Sequence, residues 1–278
     1  MFENADKIEL TFKTKVFRYF RNLSHRRRKI HFAYFTCEKH FEYLLLSLKS
    51  LEKLIGIGKV FINLDKRDNF SEDQKQRIQS LNLDITISKT KYKMSWAGVK
   101  VIDNEITAFK EISEKIKSDD FICKIDSDVI FISDEIIKKV IESDELFIGN
   151  EMNYLKGINY FQGGCYFIHK SIIPKLNYDG KSINDTLKKL NEIRGANKYG
   201  LLDESPEDAA IYDLIIKITS EIESINFFQT NFDEGHILSL NDDEMNFKEY
   251  FKEYCNKYSL IHFENDKDGM SEFLDKLN

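Results

Sequence analysis

Asp126 and Asp128 stand one residue apart at the end of Phe121-Ile122-Cys123-Lys124-Ile125, a run that reads as a buried strand. Two carboxylates this close repel each other and lose solvation at a strand end, so a cation is expected to offset them. A hard divalent ion with oxygen ligands fits, Mg²⁺ or Mn²⁺ being the natural choices, and a diphosphate is the ligand such an ion would hold. The spacing alone also suits a solvated acidic turn. Position strengthens the functional reading, because open α/β sheets bind ligands outside the carboxyl ends of their strands.

The elements before this pair alternate. Strands are predicted over Lys29 to Thr36, Lys59 to Leu64 and Asp84 to Ser88. The intervening helices are Phe41 to Ile55, with an apolar stripe through Leu44, Leu48 and Leu54 or Ile55, and Ser71 to Leu81, with Ser71 as N-cap. A long helix from Trp96 to Lys117 buries Val99, Ile102, Ile106, Phe109, Ile112 and Ile116 and leads into the Phe121 strand. Four strands separated by helices imply a mainly parallel, Rossmann-type α/β sheet flanked by helices. Beyond it the pattern is mixed: a helix over Ser133 to Ile141, strands over Glu145 to Asn150 and Tyr160 to His169 (the latter broken by Gly163-Gly164), and a helix over Pro206 to Ile218. Short strands at Ile225 to Gln229 and Tyr258 to Phe263 precede a last helix from Ser271. Residues 177–205 and 230–257 read as polar loops.

The 278 residues, 42% of them hydrophobic, suffice for a substantial core, and only two prolines and twelve glycines leave no evident linker. The expected organisation is a basic arm over residues 1–28 and one domain over 29–278, its nucleotide-binding half at 29–130 and its acceptor-binding half at 131–278. Cys37, Cys123, Cys165 and Cys255 show no metal-type spacing and read as reduced thiols. With no membrane-length apolar run and no signal-like N-terminus, a cytoplasmic protein is expected. From Phe12 to Lys29 there are eight basic residues and no acid, so the rest carries −14 against an overall −6. Val16, Phe20 and Leu23 share one helical face there, a pattern able to lie on anionic lipid at the inner face of a membrane as well as to form a solvated arm. The acidic remainder disfavours nucleic acid as a partner.

In order along the chain, the strand with Lys124 before Asp126-Ser127-Asp128, the Phe161-Gln162-Gly163-Gly164 run, Glu207-Asp208 opening a helix, and His262 in Ile261-His262-Phe263 resemble the GT-A-type glycosyltransferases. The likeness covers roughly residues 29 to 265. It implies a metal-dependent transfer of a sugar from a nucleoside-diphosphate sugar to a hydroxyl acceptor, a glycan or lipid-linked glycan, with inversion slightly favoured. It also implies roles. Asp128 is the direct metal ligand, His262 a further one, and Asp126 meets the ribose or a metal-bound water. Asp208 is the base that removes the acceptor proton, with Glu207 on acceptor hydroxyls. Gln162, Gly163 and Gly164 line the donor and acceptor pocket, although the glycine pair equally suits a β-bulge. A histidine among the ligands suits Mn²⁺ better than Mg²⁺.

Topology adds Thr36 and Cys37 after the first strand and Asp65 after the second as nucleotide contacts. Lys100 and Lys124 are candidates for a phosphate or base. His236 competes with His262 for the metal, His169 reads as structural, and Trp96 either packs under its helix or stacks on a sugar. The alternatives are a haloacid-dehalogenase-type phosphatase, which also uses Asp-x-Asp but on its opening strand, a sugar nucleotidyltransferase, which would need a Gly-rich basic loop after the first strand, and an inactive sugar-binding scaffold.

Overall fold

The computed structural model describes residues 28–94, 99–154, 158–176, 207–230, 258–263 and 267–277. Most of the basic arm, Trp96, His236, Cys255 and both long polar stretches lie outside them. The strands are β1 (Ile30–Thr36), β2 (Ile57–Leu64), β3 (Ile85–Lys89), β4 (Phe121–Ile125), β5 (Val129–Phe131), β6 (Phe147–Tyr154), β7 (Ile158–His169), β8 (Ile222–Ser224), β9 (Phe228–Thr230) and β10 (Leu260–His262). The helices are α1 (Phe41–Leu51), α2 (Glu72–Gln79), α3 (Val99–Ser113), α4 (Glu135–Glu142), α5 (Glu207–Ile216) and α6 (Lys267–Leu277).

Seven strands form one sheet in the order β3-β2-β1-β4-β7-β6-β8. The first four in that order run parallel, β7 is antiparallel to β4 and to β6, and β8 is parallel to β6. Period-two alternation divides the core. Phe32, Tyr34, Cys123 and Ile125 face a cluster with Leu44, Leu48 and Ile78 of α1 and α2, whereas Ala33, Phe35, Ile122 and Tyr166 face Ile106 and Phe109 of α3 and Ile211 of α5. The predicted alternation of strands and helices is present, including the Ser71 cap, which closes a reciprocal capping box with Gln74.

Several boundaries differ from expectation. Helix α1 stops at Leu51 and Gly56 turns with φ 87° into β2; of the two residues expected at the end of the stripe, Leu54 packs against the core and Ile55 is 71% exposed. The glycine pair does not break β7; it lies where the pairing with β6 jumps from Gly149–Tyr166 to Glu151–Phe161, a bulge in an unbroken strand. Of the strand expected over Ile225 to Gln229 only the end is present, in β9, with β8 just before it, and the last helix begins at Lys267, four residues before Ser271. No helix among the described residues is long and apolar enough to cross a membrane.

Strand β5, three residues directly after Asp128, is not evident in the sequence. It pairs antiparallel with β10, which pairs parallel with β9 in a second, three-stranded sheet. Its other support is α1. The buried Ser47 hydroxyl donates to the Val129 carbonyl at 2.5 Å and lies 2.8 Å from Tyr34 Oη, while Phe131 N–H donates to Ser50 Oγ at 3.1 Å. Ser47→Ala leaves the buried Tyr34 hydroxyl without this partner and should lower stability by about 2 kcal/mol. Urea unfolding should show a lower midpoint at unchanged slope; an unmoved midpoint would mean that this clamp contributes nothing.

Candidate active site

Parallel β1, β2 and β4 end on the same edge of the sheet, in register through Thr36–Leu64 and Tyr34–Ile125, so the residues following them gather there. A cleft of about 810 Å³ opens at this edge, and Thr36, Cys37, Asp65, Lys124, Asp126, Asp128, Glu207 and His262 all line it. Ser127, between the two acids, turns inward and donates to Thr36 Oγ1 at 2.9 Å, pinning the β4–β5 turn to the end of β1. Asp126 N–H donates to the Gly164 carbonyl and Phe263 N–H to the Asp128 carbonyl, fixing the turn from two further sides.

The register of β5 on β10 sets His262 opposite Val129 and hence beside Asp128. His262 Nε2 lies 3.1 Å from Asp128 Oδ1, and one ligand atom from each of Asp126, Asp128 and His262 falls within 4.8 Å of the others. Adjacent ligands on an octahedral ion with bonds of about 2.1 Å are separated by about 3.0 Å. The Asp128–His262 pair has this spacing, and the two carboxylates and imidazole together form a donor set able to hold a divalent cation.

Beneath the acids sits Lys124, 2% exposed on β4. Its ammonium donates to Asp126 Oδ1 at 2.6 Å and to the Gly163 carbonyl, and stands 4.0 Å from Glu207 Oε1. Burial alone would lower its pKa, but Asp126, Glu105 and Glu207 outweigh burial and hold it charged. Around it, burial pushes Glu207 up to about 8, with Lys124 opposing and Asp208, Glu105 and Asp126 reinforcing. Glu105, a buried acid on α3 that also lines the cleft, is pushed by burial up to about 7 and accepts a hydrogen bond from Tyr166 Oη at 3.2 Å. Sequence reasoning missed Glu105 although a signal existed: position 105 falls three residues after Ile102 and four before Phe109, an acid on the apolar stripe of its helix.

Other expected residues are distributed unevenly. Lys124 lines the cleft and donates to Asp126 and the Gly163 carbonyl, and Lys100 is exposed on α3 and absent from the described lining. Asp208 Oδ2 accepts from Gly163 N–H at 3.1 Å, so of the two acids opening α5 it is Glu207 that lines the cleft. A methyl group on Gly163 would sit 3.0 Å from Asp208 Cβ, a tight contact that glycine avoids. Gln162 lies on β7, its side chain outside the described residues. His169 is buried at the far end of β7 with Ser171 and Asp119, in keeping with a structural role.

The fold is that of GT-A-type glycosyltransferases. The galactosyltransferase LgtC, solved in complex with donor and acceptor sugar analogs, superposes with a TM-score of 0.53 at 12% identity over 89% of this chain and 95% of its own. The bifunctional WbbM (TM-score 0.52, 8% identity) and the glycosyltransferase GlyE from Streptococcus pneumoniae (0.50, 14%) match 86% and 88% of this chain, which spans 46% and 60% of theirs. No protein-family model matches the chain, and no curated protein matches it in sequence.

Asp65, 1% exposed, receives Arg67 through Nε and Nη2 and accepts the Arg67 and Met94 N–H groups. The Arg67 side chain, outweighing burial, lowers its carboxyl from the ordinary value to about 2. A depressed carboxylate pKa contributes stability above the unfolded value, near 4, that is lost as pH falls through the folded one. Because Arg67 is half exposed and screened, Asp65→Asn should cost only about 1–2 kcal/mol at pH 7. The gap from the parent, read by denaturant unfolding, should close between about pH 4 and pH 2; a gap constant over that window would show that the charge is not responsible.

Proposed function

We propose that the protein is a metal-dependent glycosyltransferase that moves a sugar from a nucleoside-diphosphate sugar to a hydroxyl of a glycan or lipid-linked glycan. The observation that carries this is the convergence of Asp126, Asp128 and His262 on one point of the cleft, at the sheet edge where such folds bind ligands. A divalent ion held by these three would supply positive charge to a diphosphate leaving group. LgtC, of the same fold, was solved with donor and acceptor sugar analogs, which supports both substrate classes. Thr36, Cys37 and Asp65 lie where the nucleoside would enter.

In the transfer, the acceptor oxygen bonds to the anomeric carbon as the bond from that carbon to the diphosphate oxygen breaks, and the hydroxyl proton passes to a carboxylate. Glu207, which lines the cleft, would hydrogen-bond acceptor hydroxyls. Asp208 would take the proton, in an inverting reaction, once the acceptor reaches it. The basic face of residues 12–29 would hold the enzyme on anionic lipid at the inner membrane surface, close to a lipid-linked acceptor.

Asp128→Ala should abolish Mn²⁺-dependent binding of the nucleoside diphosphate in calorimetry across a panel of bases, and unchanged affinity would remove Asp128 from the metal site. Asp208→Asn should retain that binding while transfer falls by about 10² or more. Glu207→Gln, which keeps the side chain's size and its hydrogen-bonding groups, should keep transfer within about tenfold. Transfer at the parental rate in Asp208→Asn would reassign the base.

A further inference from the structure

The Lys124 cluster has one member that neither the metal set nor the proton transfer uses. Glu105 is 1% exposed and lines the cleft, and its carboxyl accepts a single hydrogen bond among the described contacts, from Tyr166. A carboxylate offers about four acceptor directions, and a buried one normally fills more than one of them. It is close enough to Asp126 and Lys124 to feel the charge of both. It lines the same cleft as Asp126, Asp128 and Glu207. The surrounding charge is one-sided. Glu105, Asp126, Asp128 and Glu207 face a lone Lys124, whose ammonium is already taken up by Asp126 and the Gly163 carbonyl. The basic lining residues Lys39, His40 and Arg67 come from the loops after β1 and β2, and Arg67 is bound to Asp65.

We propose that Glu105, oriented by Tyr166, is the specificity-determining acceptor for hydroxyl groups of the transferred sugar, and that the site takes an uncharged hexose or N-acetylhexosamine and rejects a uronic acid. The inference rests on the nucleotide-sugar reading. Its physical content is a complementarity of donors and acceptors. A neutral sugar brings O–H donors to unfilled carboxyl lone pairs, whereas a sugar carboxylate brings a negative charge to acids whose buried cation, Lys124, is already held by Asp126 and the Gly163 carbonyl.

The test is calorimetry on the full chain with Mn²⁺. Each nucleoside diphosphate is titrated alone to identify the base; then uridine-diphosphate glucose is compared with uridine-diphosphate glucuronic acid, or guanosine-diphosphate mannose with guanosine-diphosphate mannuronic acid, according to that base. The neutral donor should bind at least about tenfold more tightly than its uronate. Glu105→Gln should weaken the neutral donor by roughly tenfold and leave the nucleoside diphosphate within twofold, which also reports that the variant is folded. Glu105→Leu should weaken the donor further. Equal affinity for the neutral and uronate donors, or parental donor affinity in Glu105→Gln, would overturn the assignment while leaving the transferase reading intact. Failure of every nucleoside diphosphate to bind with Mn²⁺ would overturn both.

Discussion

The buried ammonium of Lys124 is the interaction on which the arrangement of the site depends. Taking such an ion out of water costs several kcal/mol, and only close, well-directed partners offset it. Asp126 at 2.6 Å, the Gly163 carbonyl and Glu207 at 4.0 Å provide them from β4, β7 and α5. One side chain therefore ties the acidic turn, the glycine strand and the helix carrying Glu207 into a single unit. It does not balance them. The cleft retains an excess of carboxylate, and a divalent ion at Asp126, Asp128 and His262 would meet that excess.

The third ligand of the candidate metal set depends on a different constraint. His262 is 134 residues from Asp128, and what unites them is β5, three residues long, pairing with β10. Its neighbours hold β5 firmly: Val129 and Phe131 are inserted in the main core, and Ile130 packs on the other side with Ile261 and Phe273 near α6. Each residue of β5 is buried, and this leaves the adjacent Asp128 little freedom to move away from the imidazole.

This contrast explains what could be read from the sequence. The parallel core was legible because β1, β2 and β4 carry enough residues to show a period, α1 and α3 carry apolar stripes, and Ser71 and Gln74 announce a cap. Asp126 and Asp128 were legible because they end such a strand. Strand β5 was not, since three consecutive apolar residues define no period and the strand exists only through its distant partner. Lys124 was visible as a residue, but its protein partners Asp126 and the Gly163 carbonyl were not. A lysine within a fully buried strand has to be neutralised by protein, so the signal was its setting, not its charge. Glu105 was hidden in the same way by the hydrophobic stripe around it.

The bulge in β7 follows from these demands. A strand residue normally gives both its N–H and its carbonyl to neighbouring strands, yet Gly163 gives its N–H to Asp208 and its carbonyl to Lys124. Neither group is then available to the ladder with β6, and the pairing skips from Gly149–Tyr166 to Glu151–Phe161. The absence of a Cβ lets Asp208 approach closely enough to take that N–H. A single residue thus links the lysine under the acidic turn to the acid that opens α5. Both side chains are tied to one backbone position in the sheet, which fixes Lys124 and Asp208 relative to each other.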